Sequence, residues 1–244
     1  MTKSTPSITK SEANNWYELI PSKYQSKAHN PNFSNHKIKI PFRMGIVGFS
    51  GSGKTNLLMD LLYRMNGTFN QIILCIPCAH EPIYNYLKDK FKDHPDQFHV
   101  FEEGRVPSPN DEIFEDKDIQ SVIVFDDMIT FKNAQPKINE FFIRGRKIGR
   151  STSVIYLSQN YYSIPKVARN QMSHIIIKKI SGIKDRNMIM REFANDISKE
   201  QFEKMYDEAT KDFGDFLMVD FVCDPKEKYR KGFLEVIDSV RIVS

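Results

Sequence analysis

Cysteine is scarce in this chain. Cys75, Cys78 and Cys223 are the only three in 244 residues. They are too few, and odd in number, for a disulfide framework. Cys75-Ile76-Pro77-Cys78 matches C-x-x-C, but no second C-x-x-C and no C-x-x-H partner follows. The pair closes a strand-like stretch, so structural filler is favoured over redox or metal use. Long apolar runs are also missing. None reaches the roughly 18–20 residues that a membrane span requires. The start, Met-Thr-Lys-Ser-Thr-Pro, lacks the apolar core of a secretory leader. The expectation is a protein of the cytosol or a cytosol-connected space. Neither sign of charge dominates: 35 Lys and Arg against 31 Asp and Glu leave +4. That surplus suits nucleic acid and suits ordinary solvated surface equally. There is no internal repeat.

What is present suits one α/β domain of ordinary size, with 40% hydrophobic residues to build a core. Residues 1–36 are polar and aperiodic and read as a flexible arm, with Trp16-Tyr17-Glu18-Leu19-Ile20 as a short anchoring segment. Its lone Trp is a candidate to dock on the core or on a neighbouring subunit. Residues 37–244 read as the catalytic domain.

Gly48-Phe49-Ser50-Gly51-Ser52-Gly53-Lys54-Thr55 is a complete G-x-x-x-x-G-K-[ST] pattern. Its glycines let consecutive backbone N–H groups curl around an anion. Gly48, Ser50, Gly51, Ser52, Gly53, Lys54, Thr55 and Asn56 are therefore the candidate phosphate cradle for ATP. Lys54 supplies a point charge and Thr55 a hydroxyl for Mg²⁺. Context agrees: an apolar stretch ending Ile46-Val47 leads in, and a helical pattern runs from Asn56 to about Met65, aiming its dipole at the same phosphates.

Strands and helices then alternate. Strands are expected at 71–76, 98–101, 121–125, 153–157 and 174–179. Helices are expected at 81–88 and 136–147, with a turn near Pro165 and two segments within 184–210. Strands at 216–221 and 233–237 close the chain, paired as a hairpin across the polar loop 224–232. The alternation predicts a mostly parallel sheet with helices on both faces plus C-terminal strands, and a ligand at the strands' carboxyl ends.

Polar residues terminate several strands. Val122-Ile123-Val124-Phe125-Asp126-Asp127 is an apolar run ending in acids, of the Walker B type. Asp126 is the candidate carboxylate for Mg²⁺, with Thr55. Asp127 either polarises the attacking water or caps the next turn. Its being Asp rather than the usual Glu demands a closer water or a relay. Gln159, ending the next strand, is a γ-phosphate or water sensor, with Ser158 and Asn160 as alternatives. The cluster Arg144-Gly145-Arg146-Lys147-Ile148-Gly149-Arg150 offers a guanidinium for the transferring phosphoryl group, in the order Arg146, Arg150, Arg144. Binding of a DNA backbone, or a merely solvated loop, are its other readings. Lys178, Lys179, Lys184, Arg186 and Arg191 form either a DNA-channel lining or an exposed helix start.

The order of these parts resembles the FtsK–HerA superfamily. Phe141-Phe142-Ile143-Arg144-Gly145-Arg146-Lys147-Ile148-Gly149-Arg150 and Val154-Ile155-Tyr156-Leu157-Ser158-Gln159-Asn160 narrow it. Within that superfamily the chain is similar to the poxvirus-type genome-packaging ATPases of large DNA viruses, virophages and polinton-like elements, over about residues 40–240. The resemblance implies an ASCE P-loop NTPase fold, in which the sensor strand separates the Walker B strand from the P-loop strand. It implies ATP hydrolysis coupled to moving double-stranded DNA, irrespective of sequence, into a preformed capsid. It implies a ring homo-oligomer, a capsid or portal vertex as partner, and a place in the cytoplasmic viral factory or the virion. By position, Lys54 and Thr55 match the P-loop pair, Asp126 the metal acid, Asp127 the catalytic acid and Gln159 the sensor. An arginine of 144–150 matches the finger supplied by a neighbour. The competing class is a small P-loop phosphotransferase, for which the arginine cluster would imitate a lid.

Overall fold

A computed structural model of the chain describes residues 14–22, 28–78, 80–116 and 118–238. It contains helices α1 (Trp16–Leu19), α2 (Lys54–Arg64), α3 (Pro82–Lys90), α4 (Gln135–Arg144), α5 (Lys166–Arg169), α6 (Ile183–Phe193) and α7 (Lys199–Ala209). The strands are β1 (Arg43–Val47), β2 (Gln71–Cys75), β3 (Phe98–Phe101), β4 (Gln120–Asp126), β5 (Ser151–Ser158), β6 (His174–Ile177), β7 (Leu217–Asp220), β8 (Tyr229–Lys231) and β9 (Glu235–Val236). They form one sheet in the order β3-β2-β4-β5-β1-β6-β7-β8-β9. The pairings from β3 to β6 are parallel and those from β6 to β9 antiparallel.

β4 and β5 are buried along their whole length, as strands covered on both faces must be. Alternate residues feed two cores. On one face Ile123, Phe125, Val154 and Tyr156 meet Phe141 and Phe142 of α4 and Phe202 of α7. On the other, Val122, Val124, Ile155 and Leu157 meet Leu57, Leu58 and Leu61 of α2 and Tyr84 and Leu87 of α3. Register fixes the working edge: Val47 pairs with Ser158 and Asp126 with Leu157. The carboxyl ends of β1, β4 and β5 therefore finish level.

The C-terminal strands differ from expectation. β7 does not pair with the segment at 233–237. A strand, β8, lies within the expected loop and takes that place, with β9 outside it. Its centre, Arg230, is 1% exposed and donates to Asp220 at 2.6 Å, with Asp220 equally buried. A charged residue buried against a charged partner carries no apolar signal, which is why the pattern at 229–231 reads as loop. Helix α4 also stops at Arg144, and a 3₁₀ turn covers Gly145–Lys147.

Part of the segment expected as an arm is tied to the domain. The His29 N–H donates to Gln120 Oε1 at 3.1 Å and Gln120 returns a bond to His29 O at 2.9 Å. Asn32 reaches Asn66 O at 2.6 Å. Trp16 is 60% exposed, so it does not dock on the core of its own chain. Residues 1–13 lie outside the described range.

His36 is fully buried, and its Nδ1 accepts the Ile38 N–H at 3.0 Å. Burial, helped by Arg230 and Arg64, pushes its pKa down to about 4. Folding therefore excludes a proton that the unfolded histidine binds below about pH 6.5. The stability contributed by keeping it neutral is complete above that value and is lost as pH falls toward 4. In urea titrations, His36→Asn, whose Oδ1 can accept the same amide bond, should hold a constant offset from wild type between pH 7 and 8. Wild type should then lose ground to the variant from pH 6.5 to 4. A parallel pair of stability curves would contradict the assignment.

Candidate functional site

The loop after β1 curls because its residues permit little else. Gly53 adopts φ +84° at the head of α2, a conformation costly for any residue with a Cβ. Gly48 is needed for space: a Cβ there would come within 2.5 Å of Ser52 Oγ and 2.9 Å of Lys178 Cβ. Neighbouring strand ends pin the loop. Gly48 N–H donates to Ser158 O at 3.2 Å, and Phe49 N–H to Lys179 O at 3.0 Å. Lys54 Nζ folds onto the loop's own carbonyls, Gly48 O at 2.8 Å and Phe49 O at 3.2 Å. Ser52 Oγ is buried without a hydrogen-bond partner.

Beside the loop lies a cleft of about 660 Å³. Its lining includes Lys54, Thr55, Asp126, Asp127 and Gln159, with Glu81 and Tyr84 from the start of α3. Ser50, Gly51, Gly53 and Asn56 line it as well. The structure thus brings together residues at the carboxyl ends of β1, β4 and β5 that lie as far apart in sequence as Ser50 and Gln159.

Asp126 ends β4 and is 9% exposed. Burial pushes its carboxyl up to about 6, and the nearby Glu81 and Asp127 push the same way, while the Tyr84 hydroxyl and Lys54 oppose the rise. Tyr84 Oη donates to Asp126 Oδ2. Asp127 has φ +50°, one of three non-glycine residues in that region among those described. Such a backbone costs of order 1 kcal/mol or more and persists where surroundings enforce it. Here the Asp127 N–H is held by Leu157 O at 3.2 Å. Its side chain caps no turn; Oδ2 instead accepts from Gln159 Nε2 at 3.0 Å. Burial lowers the Lys54 ammonium from its usual range, offset in part by Asp126, Asp127 and Glu81.

This donor set fits a hard divalent cation. The buried Asp126 carboxylate and the Thr55 hydroxyl on the same cleft offer oxygen ligands only. Burial, and after it the charges of Glu81 and Asp127, raise Asp126, and a cation on the carboxylate would oppose both.

The arginine cluster is not part of this assembly. Arg146 lies in the 3₁₀ turn before β5, and Arg150 immediately precedes that strand. Gln159 follows its far end. Eight residues of strand at about 3.3 Å each put roughly 25 Å between them. Arg144 pairs with Glu140 on its own helix, and Arg150 donates to Asp118 O at 3.4 Å. The expected basic strip is also broken up. Lys178 is buried under the loop, donating to Phe213 O at 2.9 Å. Arg186 pairs with Glu203 at 2.6 Å, and Lys184 sits over the Tyr162 ring. Cys75 is buried and Cys78 exposed, both as free thiols. No group of three or more His, Cys, Asp or Glu with metal-site geometry occurs among the described residues.

Sequence reasoning missed Tyr84. The available signal was its position: it faces the core three residues before Leu87 on an amphipathic helix, and a buried phenol needs a partner.

A P-loop strand, an acid-bearing strand and a third strand inserted between them define an ASCE-type P-loop NTPase fold. Known proteins share it. The family model described as Poxvirus A32 protein matches residues 31–103. The DNA packaging protein OPG160 of Monkeypox virus is 25% identical over 159 residues, 62% of this chain and 52% of that protein. Its Vaccinia virus (strain Copenhagen) counterpart shows the same identity over 58% of its length. The chain thus spans about half the length of the curated relatives it matches. Among solved structures, the genome packaging NTPase B204 of Sulfolobus turreted icosahedral virus 2 in complex with sulfate superposes with TM-score 0.56 at 16% identity. The match covers 82% of this chain and 100% of that one. The same protein in complex with AMPPCP gives 0.55 at 18% identity, covering 80% and 98%. The resemblance read from the motifs is therefore met in sequence, by relatives named for DNA packaging, and in fold.

The raised Asp126 pKa has a consequence for stability. A carboxyl whose folded pKa exceeds its unfolded value destabilises the fold once both states ionise, above about pH 6. Asp126→Asn should raise the melting temperature of the ligand-free protein at pH 8, by an amount equivalent to about 1–3 kcal/mol. The gain should shrink as pH falls toward 4. A variant less stable than wild type at pH 8 would show that the buried Asp126 charge does not cost the fold stability.

Proposed function

We propose that this chain is an ATP-hydrolysing motor subunit that moves double-stranded DNA into a viral capsid. The observation that carries the reading is the convergence of Lys54, Thr55, Asp126, Asp127 and Gln159 on one cleft at the level edge of β1, β4 and β5. The β- and γ-phosphates of ATP lie against the amides of 48–55 at the start of α2, where the helix dipole favours them. Lys54 exchanges its two carbonyl partners for phosphate oxygens. Thr55 and Asp126 would hold Mg²⁺, which would neutralise the charge that builds on the phosphates. Asp127 takes the proton of the attacking water, and Gln159, already bonded to it, orients the same water.

The arginine positions bear on assembly. A guanidinium at the opposite edge of the sheet cannot reach the γ-phosphate of its own chain. In a ring, the Arg146 or Arg150 of one copy would serve the cleft of the next. The same distance counts against the phosphotransferase alternative, because a lid must close over its own site. Relatives named for DNA packaging supply the choice of DNA as cargo. A motor that acts on any sequence grips phosphates rather than bases, so its affinity should fall steeply with salt. A capsid or portal vertex as docking partner, and action in the cytoplasmic viral factory, belong to the same proposal.

Turnover of Mg·ATP measured with and without duplex DNA tests the proposal. DNA should raise the rate, and a small phosphate acceptor should not. Lys54→Ala should lose about a hundredfold or more in turnover. Asp127→Asn, which tolerates the same backbone, should bind nucleotide yet hydrolyse it about a hundredfold more slowly or worse. Mixing Arg146→Ala with Lys54→Ala subunits should restore activity above either alone. Rates indifferent to DNA would remove the motor reading. Co-assembled mixtures that never exceed the single variants would remove the shared arginine.

A further inference from the structure

At the cleft the Tyr84 hydroxyl meets the Asp126 carboxylate, and Thr55 lines the same cleft. Each comes from a different element. Thr55 is in the first turn of α2, Asp126 ends β4, and Tyr84 is in the first turn of α3. Tyr84 is 1% exposed. Its ring is packed in the apolar layer with Leu74, Ile76, Val122 and Val124, so only the hydroxyl reaches polar groups.

We propose that Tyr84 is a positioning residue that holds the Asp126 carboxylate in place to receive, with Thr55, one divalent cation. The inference rests on the Mg·ATP reading above and deepens it. Its physical basis is the choice of donor. Asp126 stands among Glu81 and Asp127, and left alone it would rotate away from them or take up a proton. An ammonium or guanidinium could hold it, but would neutralise the charge the cation needs. Lys54, the nearest basic candidate, is instead bonded to the Gly48 and Phe49 carbonyls. A phenol is a neutral donor. It ties down Oδ2 while the carboxylate keeps its charge, and Oδ1 takes no part in that bond. Because the ring is locked in the core by its neighbours, the hydroxyl is fixed to within the play of a packed side chain. A purely structural role would require only that the phenol find some acceptor. Here its acceptor is the very carboxylate assigned to the metal, and the bond ties α3 to the end of β4.

The test uses Tyr84→Phe, which keeps the ring and removes the oxygen, and Tyr86→Phe, on the exposed side of the same helix, as control. Binding of a fluorescent ATP analogue is measured in EDTA and across a Mg²⁺ titration, alongside steady-state turnover. In EDTA, Tyr84→Phe should bind within about twofold of wild type, because the phosphate cradle is untouched. The tightening that Mg²⁺ produces should fall by about fivefold or more. The Mg²⁺ concentration giving half-maximal turnover should rise, with a smaller change in the KM for nucleotide measured at saturating Mg²⁺. Tyr86→Phe should match wild type throughout. Unchanged Mg²⁺ coupling in a folded Tyr84→Phe protein would overturn the proposal. So would tighter Mg²⁺ binding, since the hydroxyl would then be competing with the cation. Should wild type itself show no Mg²⁺-dependent nucleotide binding, the Mg·ATP reading fails and this inference falls with it, an outcome distinct from a variant-specific result.

Discussion

The parallel register of β4, β5 and β1 is the constraint on which the rest of this molecule depends. Asp126 opposite Leu157, and Val47 opposite Ser158, bring three chain segments to a common edge. From there each backbone turns under bonds supplied by its neighbour. The Gly48 amide uses Ser158 O, and the Asp127 amide uses Leu157 O. A slip of one residue in either pairing would turn the affected strand's side chains to the opposite face. Asp126 would leave the cleft and Phe125 would enter it. The two apolar layers on either side of β4 make that slip costly, so the core holds the site in place.

Electrostatics then gives the cleft its character. Three carboxylates and one lysine share a partly buried space, and the lysine is engaged by backbone carbonyls. Asp126 is left with repulsive neighbours and a single phenol. Asp127 is held in a backbone conformation that few non-glycine residues adopt. Strain and repulsion at one place are poor ways to stabilise a fold. They are tolerated because they arrange charge before any ligand arrives, at a cost carried by the cores around them.

Several elements were legible from local pattern. The glycine spacing at 48–55, the apolar run ending in Asp126-Asp127 and the amphipathic stretch after Thr55 each appear where a single element's own period and chemistry would put them. Gln159 was legible because it closes a strand. Other features depend on partners far away in the chain. β8 escaped notice because its central Arg230 is buried only by virtue of Asp220. Lys178 looked like part of a surface strip, whereas the loop at 48–53 lies over it. Tyr84 looked like ordinary core, and its hydroxyl gains meaning only beside Asp126. The polar stretch 28–36 looked unattached because the bonds of His29 and Asn32 go to Gln120 and Asn66, which local composition does not reveal.

The amino-acid sequence alone determined the chemistry available: a glycine loop that can wrap an anion, a lysine, a threonine, two aspartates, a glutamine and a cluster of arginines. Those are properties of residue type and of spacing within a few positions. Tertiary structure decided which of them meet. It joined the loop, the acids and the glutamine, added a tyrosine from α3, and sent the arginines to the far edge. Backbone spacing along one strand carries no information about which strands lie side by side. Only the burial of both sheet faces selects that order, and with it the distance of every charge from the cleft.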